Sequence, residues 1–443
     1  MENRFKLCKY NYIHRYRDKV ICLNGITGSF VVFKKLEYDT IFNKLIKEDS
    51  FPINYPSLYK KLLELKFLIT NEFDEIAYIK AQNNNKIFLD TYYWLTINPT
   101  IDCNFNCWYC IVEDSNTLHE KIRMPDNIIG DVKMYVKKLI SSNSINGIHL
   151  DWFGGEPLLF FNEVVYPISK YTLIEAKKTN RLYSNHITTN GYLINKKIIK
   201  QFNEIKLNSF QITLDGNEEK HNKVRNDNSK PTYRQIIKNI KDICNFVKEP
   251  RITLRINYDK NTLLKIDSLI NEFSINEKEK ISINFQRVWQ VKRVEDDENE
   301  LLKKSINKCI ANNINVLHYG FKPGKYYTCY SDKYNHAVIN YDGKVYKCTA
   351  RDYNEKNCVG KLTENGKIEW IDDKIYKRFS ANHFDHKQCM KCKILPLCYG
   401  PCSQNSLEFK NGVTEFSNIC MLKNSEINLN SYLITEAKNR KLI

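Results

Sequence analysis

The sequence predicts an α/β chain: a parallel barrel or partial barrel in the middle, a small mixed unit before it, and a loop-rich, cysteine-rich region after it. Three observations predict this. From Ile101 to about residue 290, short apolar strands alternate with longer stretches of helical spacing. Ahead of them, a hairpin pattern and two helical stretches share the first ninety residues. Finally, ten of the fifteen cysteines fall into two spaced sets, one opening the barrel and one running through the C-terminal region.

Taken in order, KVICLNG and GSFVVF flank the turn residues Gly25–Gly28 and read as a hairpin. Lys35–Ile46 and Tyr55–Leu65 carry apolar residues at helical spacing, and FLIT with EIAYIKAQ reads as a further strand pair. Together they predict a winged-helix-like unit over residues 1–90. In the barrel, GIHLDWFGG at 147–155, RLYSNHITTNG at 181–191, FQITLDG at 210–216, RITLRINYD at 251–259 and KISINFQRV at 280–288 are strand-like. Helical spacing fills the gaps at Asp131–Leu139, Asn195–Phe202, Tyr233–Asn245 and Leu263–Phe273. Polar and glycine residues gather where strands end: Gly154 to Pro157, Thr189 to Gly191, Asp215 with Gly216, and Asn257. Parallel α/β folds place their chemistry at that edge. Residues 292–318 read as a charged linker helix, so the barrel segment runs 91–318. Residues 319–443 hold the hairpin HAVINYDGKVYKC about Asp342–Gly343 and a closing helix after Cys420. With so little hydrophobic body there, metal ligation is expected to supply folding energy.

Composition narrows the class. A chain of 443 residues exceeds one ordinary domain, and an apolar fraction of 42% can fill real cores. Charges interrupt every apolar run near the N-terminus, which predicts no signal peptide, and no stretch approaches the ~20 apolar residues of a membrane span. Bunched rather than dispersed cysteines then read as a metalloprotein of the reducing cytoplasm. The formal charge of +17 comes from lysines spread along the whole chain. That spread reads as general surface usage, disfavours nucleic acid, and leaves an acidic peptide partner open.

The first cysteine set is Cys103-x3-Cys107-x2-Cys110 in IDCNFNCWYC. Three thiolates leave one iron of a 4Fe–4S cube without a protein ligand, open to a substrate or cofactor, whereas an electron-transfer ferredoxin supplies a fourth. Zinc is the alternative, but closed zinc sites want four ligands, and no partner pair follows within a hundred residues.

This spacing, with Tyr109 before the last cysteine, resembles the signature of the radical S-adenosylmethionine enzymes. Trp152-Phe153-Gly154-Gly155-Glu156-Pro157 resembles their strand end that receives the methionyl amino group. Thr189-Asn190-Gly191 resembles the turn lining the cofactor pocket. Thr213-Leu214-Asp215-Gly216, with His221 and Arg225, resembles the fourth-strand motif of the peptide-modifying members, and Arg255-Ile256-Asn257 the fifth. The likeness covers roughly residues 95–290. It implies a partial (β/α)6 barrel in which Cys103, Cys107 and Cys110 hold the radical cluster. It further implies that Tyr109, Gly154, Gly155, Glu156, Pro157, Thr189, Asn190, Asp215, Arg225 and Asn257 bind S-adenosylmethionine. One electron would then cleave that cofactor to methionine and a 5′-deoxyadenosyl radical, which abstracts a substrate hydrogen.

The second set, Cys329-x13-Gly343-x4-Cys348, then Cys389-x2-Cys392-x5-Cys398-x3-Cys402, then Cys420, resembles the SPASM domain of peptide-modifying radical enzymes. The resemblance implies two auxiliary 4Fe–4S clusters, hence three in all. Cys389, Cys392, Cys398 and Cys420 would ligate the outer one, and Cys329, Cys348 and Cys402 the inner. The inner set is one ligand short; Cys358 or Cys309 fills the gap, or the iron stays open to a substrate thiolate. Sulfatase-maturing relatives place an acidic base directly after the second cysteine of this motif. Here Cys348 is followed by Thr349 and Ala350, which argues against that reaction, and Asp352 is the nearest substitute. Cys8, Cys22 and Cys244 read as small buried hydrophobes.

Residues 1–90 resemble, more diffusely, the recognition element fused to maturases of ribosomally made peptides, which binds a leader as an added strand. A domain that only caps the barrel is the alternative. The function implied is maturation of a ribosomally synthesised precursor peptide by an intramolecular cross-link, a cysteine thioether first and a carbon–carbon or ether link next, with flavodoxin or ferredoxin as electron donor. Action on a larger protein is the nearest rival. An iron–sulfur scaffold or electron carrier that no longer turns over is the alternative of another class. No catalytic general base is assigned.

Overall fold

A computed structural model describes residues 5–110, 112, 122–227, 230–288, 296–317, 321–327, 329–381, 383–420, 422 and 428–443. The chain divides into two compact units. One joins Met1–Leu89 to His318–Lys333 and Arg378–Ile443; the other joins Asp90–Leu317 to Tyr334–Lys377.

The first unit opens with β1 (Phe5–Leu7), β2 (Asn11–Tyr16), β3 (Lys19–Asn24), β4 (Phe30–Lys34) and, later, β5 (Leu68–Thr70). β2, β3 and β4 form an antiparallel sheet, and β1 pairs with β5. The expected hairpin is β3–β4. Its turn is shaped by Asn24, whose side-chain oxygen accepts the N–H groups of Ile26 and Thr27 at 3.1 and 3.0 Å. Helices Lys35–Asn43 and Pro56–Glu64 fall where spacing puts them. EIAYIKAQ departs from expectation: it starts a fourteen-residue helix, Glu75–Phe88. Its apolar residues alternate locally like a strand, but Asp74 accepts the N–H groups of Ile76 and Ala77 and sets a helix start.

β3 is buried on both faces. Val20 and Cys22 enter a core made with Tyr38, Phe42, Phe51 and Leu68. Ile21 and Leu23 face the other way, into a core shared with Leu397, Tyr399, Tyr432 and Leu433. The last two lie on the closing helix, Leu429–Asn439. The first ninety residues and the C-terminal segments therefore complete one another.

The second unit is a single eleven-stranded sheet. Its strands are β6 (Tyr92–Ile97), β7 (Gly147–Trp152), β8 (Leu182–Thr189), β9 (Leu207–Leu214), β10 (Arg251–Tyr258), β11 (Ile281–Arg287), β12 (Asn315–Val316), β13 (His336–Ile339), β14 (Lys344–Tyr346), β15 (Gly360–Leu362) and β16 (Ile368–Trp370). β6 to β11 run parallel in chain order, each followed by helix, which is the partial (β/α) barrel core. β13 continues the sheet parallel to β6, and β14 to β16 form an antiparallel meander. The expected helix Leu263–Phe273 is instead two short ones, Lys260–Leu264 and Ile266–Ile270, parted at Lys265. Of the expected linker helix, residues 296–311 are helical, while 292–295 and 318 lie outside the described residues.

Period-two alternation sorts the barrel strands. Ile148, Leu150 and Trp152 of β7 are fully buried, and Trp152 donates its ring N–H to Ser169 of the helix Tyr166–Lys178 and to Asn185. His149 and Asp151 thus face the barrel interior. Among the described residues, no helix is long and apolar enough to cross a membrane.

Candidate active site at the barrel mouth

The loop after β6 carries the first cysteine set, and backbone contact with the end of β7 positions it. Gly155 donates its N–H to the Thr100 carbonyl at 3.1 Å, and Glu156 to the Asp102 carbonyl at 2.7 Å. These strands of backbone lie so close that a Cβ on Gly154 would sit 2.3 Å from the Thr100 oxygen, and one on Gly155 1.9 Å from the Asp102 oxygen. Gly154 also has φ +109°, which favours glycine. The double glycine is therefore dictated by the neighbouring loop.

Glu156 is buried, and both of its oxygens are engaged. One accepts the Leu158 N–H at 2.9 Å and the Thr189 hydroxyl at 2.8 Å; the other accepts the Asn190 N–H at 2.7 Å. Burial pushes its pKa up, against those three donors. The carboxylate ties the end of β7 to the end of β8. Asn190 in turn donates to the Asn104 side chain at 2.8 Å and to the Cys103 sulfur at 3.9 Å.

Four of the expected cofactor residues converge in one network. The Tyr109 hydroxyl donates to Asp215 at 2.6 Å and accepts from Arg225 and Asn257, each at 3.0 Å. Asn257 also donates to Asp215 at 3.3 Å, and Arg255 orients Asn257 by donating to it at 3.1 Å. Burial pushes the Asp215 carboxyl up, opposed by Arg225 and Tyr109. Burial likewise disfavours the Arg225 cation, yet Cys107, Tyr109 and Asp215 hold its pKa well above the ordinary value. His221 accepts the Asp215 N–H at 3.3 Å; burial, then Arg225, pushes it down to about 3, so it is neutral. Cys103 is pushed up to about 12 by burial and then by Glu156. Loading a metal on that thiol must release a proton.

Sequence reasoning did not single out Asn104 or Phe105, and it named Arg255 only within the fifth-strand motif, with no role of its own. Phe105 lies under the Arg225 guanidinium, 5.8 Å from ring centre to cation. Their signal was the position of Asn104-Phe105 between two cysteines and of Arg255 two residues before Asn257. Two buried donors of this site, Asn104 Nδ2 and Arg225 Nε, have no hydrogen-bond partner among the described residues. Such donors suit an anionic ligand group.

In the first unit, Cys389, Cys392, Cys398 and Cys420 come together. Burial, then Cys398, Cys392 and Cys420, pushes Cys389 up to about 12, and burial pushes Cys398 up to about 11. The Gly400 and Ile394 N–H groups donate to the sulfurs of Cys398 and Cys392 at 3.3 and 3.4 Å. Cys329 and Cys402 lie near Lys322 and Asp332 in the same unit. Cys348 and Cys358 belong to the barrel unit. The Cys358 thiol packs with Val338, Tyr346 and Tyr353 and donates to the Gly360 carbonyl at 3.2 Å. Among the described residues, no three His, Cys, Asp or Glu side chains converge on a single ion position. Ligands to separate corners of a cube stand farther apart than ligands to one ion.

The family model described as the radical SAM superfamily matches residues 97–265, and that for an iron–sulfur cluster-binding domain, SPASM, matches 329–393. The chain thus carries a radical SAM domain followed by a SPASM iron–sulfur domain. A curated relative of this radical SAM/SPASM chain, "Probable GTP 3',8-cyclase" of Methanococcus aeolicus, is 32% identical over 121 residues, 27% of this chain and 36% of its own length. The match thus spans about a third of that relative. Among solved structures, native anSMEcpe with bound AdoMet superposes with a TM-score of 0.54 at 19% identity, covering 79% of this chain and 96% of that one. The same protein with AdoMet and the Cp18Cys peptide gives 0.52 at 18%, with the same coverage. SuiB of Streptococcus suis bound to S-adenosylmethionine gives 0.49 at 18%, covering 90% and 95%. The anSMEcpe superpositions show a shared fold.

Proposed function

We propose that this protein matures a ribosomally synthesised precursor peptide, binding S-adenosylmethionine and three 4Fe–4S clusters to form an intramolecular cross-link with a cysteine thioether as product. The observation that carries this reading is the Tyr109–Asp215–Arg225–Asn257 network beside the three-thiol loop. The residues fit the groups: three cysteines leave an iron open, and the unpartnered Asn104 and Arg225 donors await an anionic group. When bound, the radical cluster and S-adenosylmethionine supply a 5′-deoxyadenosyl radical able to remove a substrate hydrogen.

The chain's own part is holding and shielding. Cys103, Cys107 and Cys110 hold the radical cluster. Tyr109, Gly154, Gly155, Glu156, Pro157, Thr189, Asn190, Asp215, Arg225 and Asn257 form the cofactor wall, with Glu156 keeping two strand ends in register. Cys389, Cys392, Cys398 and Cys420 hold the outer auxiliary cluster, supported by the mutual proximity of their thiols. Cys329, Cys348 and Cys402 hold the inner one. Its fourth position is open to substrate, a reading favoured by the engagement of Cys358 with a backbone carbonyl.

Residues 1–90 act as a winged-helix-like leader-recognition domain, 91–318 as the radical barrel and 319–443 as the SPASM domain. A cavity of about 170 Å³ lined by Leu7, Ile13, Tyr38, Phe42 and Phe67, beside β2 at the sheet edge, supports leader binding. An added strand would pair with β2 and anchor an apolar side chain there. Peptide in the anSMEcpe complex supports the substrate class. Flavodoxin or ferredoxin of a reducing cytoplasm supplies the electron. Co-expression with short cysteine-containing peptides from coding frames flanking the gene tests the reading. Loss of two hydrogens per cross-link with disappearance of one thiol is expected; unchanged masses and thiol counts refute it.

A further inference from the structure

We propose that Asp151, on the interior face of β7, is the proton acceptor that completes carbon–sulfur bond formation inside the barrel. The proposal rests on the peptide-maturase reading and names the base that reading lacks. Directly after Cys348 the chain has Thr349, and Asp352, the nearest carboxylate downstream, is exposed on the surface.

Asp151 is placed otherwise. It pairs in register with Thr96 on β6 and His186 on β8, so all three side chains lie on one interior patch. One oxygen accepts the Thr96 hydroxyl at 3.2 Å. The other has no hydrogen-bond partner, and no other buried carboxylate oxygen among the described residues shares that condition. The side chain as a whole keeps 18% of its surface exposed, although the unpartnered oxygen itself is covered. From the segment after Cys348, Tyr353 reaches the same patch and lies near Asn98, Asp151 and Cys348. The carboxylate thus lies on the wall shared with a proposed auxiliary-cluster ligand.

The surrounding charges leave it able to take a proton. His186 Nε2 is 3.9 Å away, but burial, then His149 and Arg251, pushes that imidazole down to about 3, so the two form no ion pair. The His186 Nδ1 is occupied by the Ser209 hydroxyl at 2.8 Å, and His149 by Ser184 at 2.7 Å. Arg255 on β10 is turned to Asn257. With no cation beside it among the described residues, burial lifts Asp151 to about 7. A free cysteine thiol titrates near about 8.5, so the two groups are closely matched for transfer.

The step balances as follows. The substrate C–H hydrogen has left in 5′-deoxyadenosine, giving a carbon radical. The cysteine S–H bond breaks, the C–S bond forms, the proton passes to the ionised Asp151, and the remaining electron passes to an auxiliary iron–sulfur cluster as oxidant.

The test compares wild-type and Asp151→Asn holoenzymes, each co-expressed with the flanking cysteine-containing peptides and then assayed with the reduced protein. Peptide-dependent 5′-deoxyadenosine should stay within roughly twofold of wild type while cross-linking slows about 100-fold or more, with partial recovery in Asp151→Glu. Wild-type cross-linking should rise with pH through about 7. Independently of turnover, the infrared spectrum of the resting wild-type protein should show a carboxyl band that titrates there and is missing in Asp151→Asn. Cross-linking at the wild-type rate in Asp151→Asn, or the absence of that band in wild type, overturns the proposal. Loss of deoxyadenosine together with product overturns it too, by making Asp151 a binding residue. Wild-type protein that makes deoxyadenosine yet alters no peptide refutes the maturase reading itself, whatever the infrared band shows.

Discussion

Replacing Gly155 by alanine tests how the cluster loop is held. The added carbon would lie 1.9 Å from the Asp102 oxygen, 2.4 Å from its carbonyl carbon and 2.5 Å from the Ile101 oxygen. All three are backbone atoms, so no side-chain rotation relieves the clash, and the two segments must part by about 1 Å. That movement stretches the Gly155–Thr100 and Glu156–Asp102 hydrogen bonds of 3.1 and 2.7 Å. Two weakened bonds and an overpacked contact together cost about 2–6 kcal/mol, concentrated on the residue before Cys103. The expected outcome is local: the radical cluster fails to assemble while the C-terminal cysteines load normally. Iron and acid-labile sulfide after anaerobic reconstitution should fall from about twelve to about eight per chain, with S-adenosylmethionine cleavage lost. A full iron complement with undiminished cleavage would show that this backbone contact does not position the loop.

Other outcomes follow from single contacts. Cys389→Ser should remove about four irons while leaving deoxyadenosine formation measurable, since the radical cluster is held elsewhere; iron analysis beside the cleavage assay reads both. Asp74→Ala removes the acceptor for Ile76 and Ala77 and should cost about 1 kcal/mol, read by chemical denaturation. Asp151 carries a folded pKa of about 7, above the ordinary carboxylate value, so the unfolded state releases its proton first as pH rises. Stability is therefore lost between about pH 4 and 7, and Asp151→Asn should match wild type at about pH 3 and exceed it at pH 8 in the same denaturation assay. Ile13→Asp at the exposed edge strand should weaken leader-peptide binding about tenfold by calorimetry without touching deoxyadenosine formation in the absence of peptide. Removing residues 1–90 outright is a poorer test, because Ile21 and Leu23 complete a core with Leu397, Tyr432 and Leu433.

The barrel was legible because its strands are apolar runs ending in glycine and asparagine motifs, and all five of those expected are present. The parallel strand Tyr92–Ile97 escaped notice although Asn98-Pro99 marks its end, because it falls between the first unit, read to residue 90, and an alternation read from Ile101. In the first unit, Asp74 decided for helix where alternation spoke for strand. The residues of the proposed cofactor wall could be named from motifs, but not the Tyr109 hydroxyl as the hub joining Asp215, Arg225 and Asn257, since its partners lie 106 to 148 residues away. Asp151 lay in plain view inside DWFGGEP, and only strand register beside His186 and Tyr353 marks it.

The central claim is that the thiols of the loop after β6 drive cleavage of S-adenosylmethionine. Wild type and Cys107→Ala, both anaerobically reconstituted and reduced, should be incubated with S-adenosylmethionine and assayed for 5′-deoxyadenosine and methionine by liquid chromatography and mass spectrometry. Wild type should form both products in equal amounts and Cys107→Ala neither, although the auxiliary clusters remain loaded. Undiminished cleavage by Cys107→Ala, or none by fully loaded wild type, would contradict the assignment.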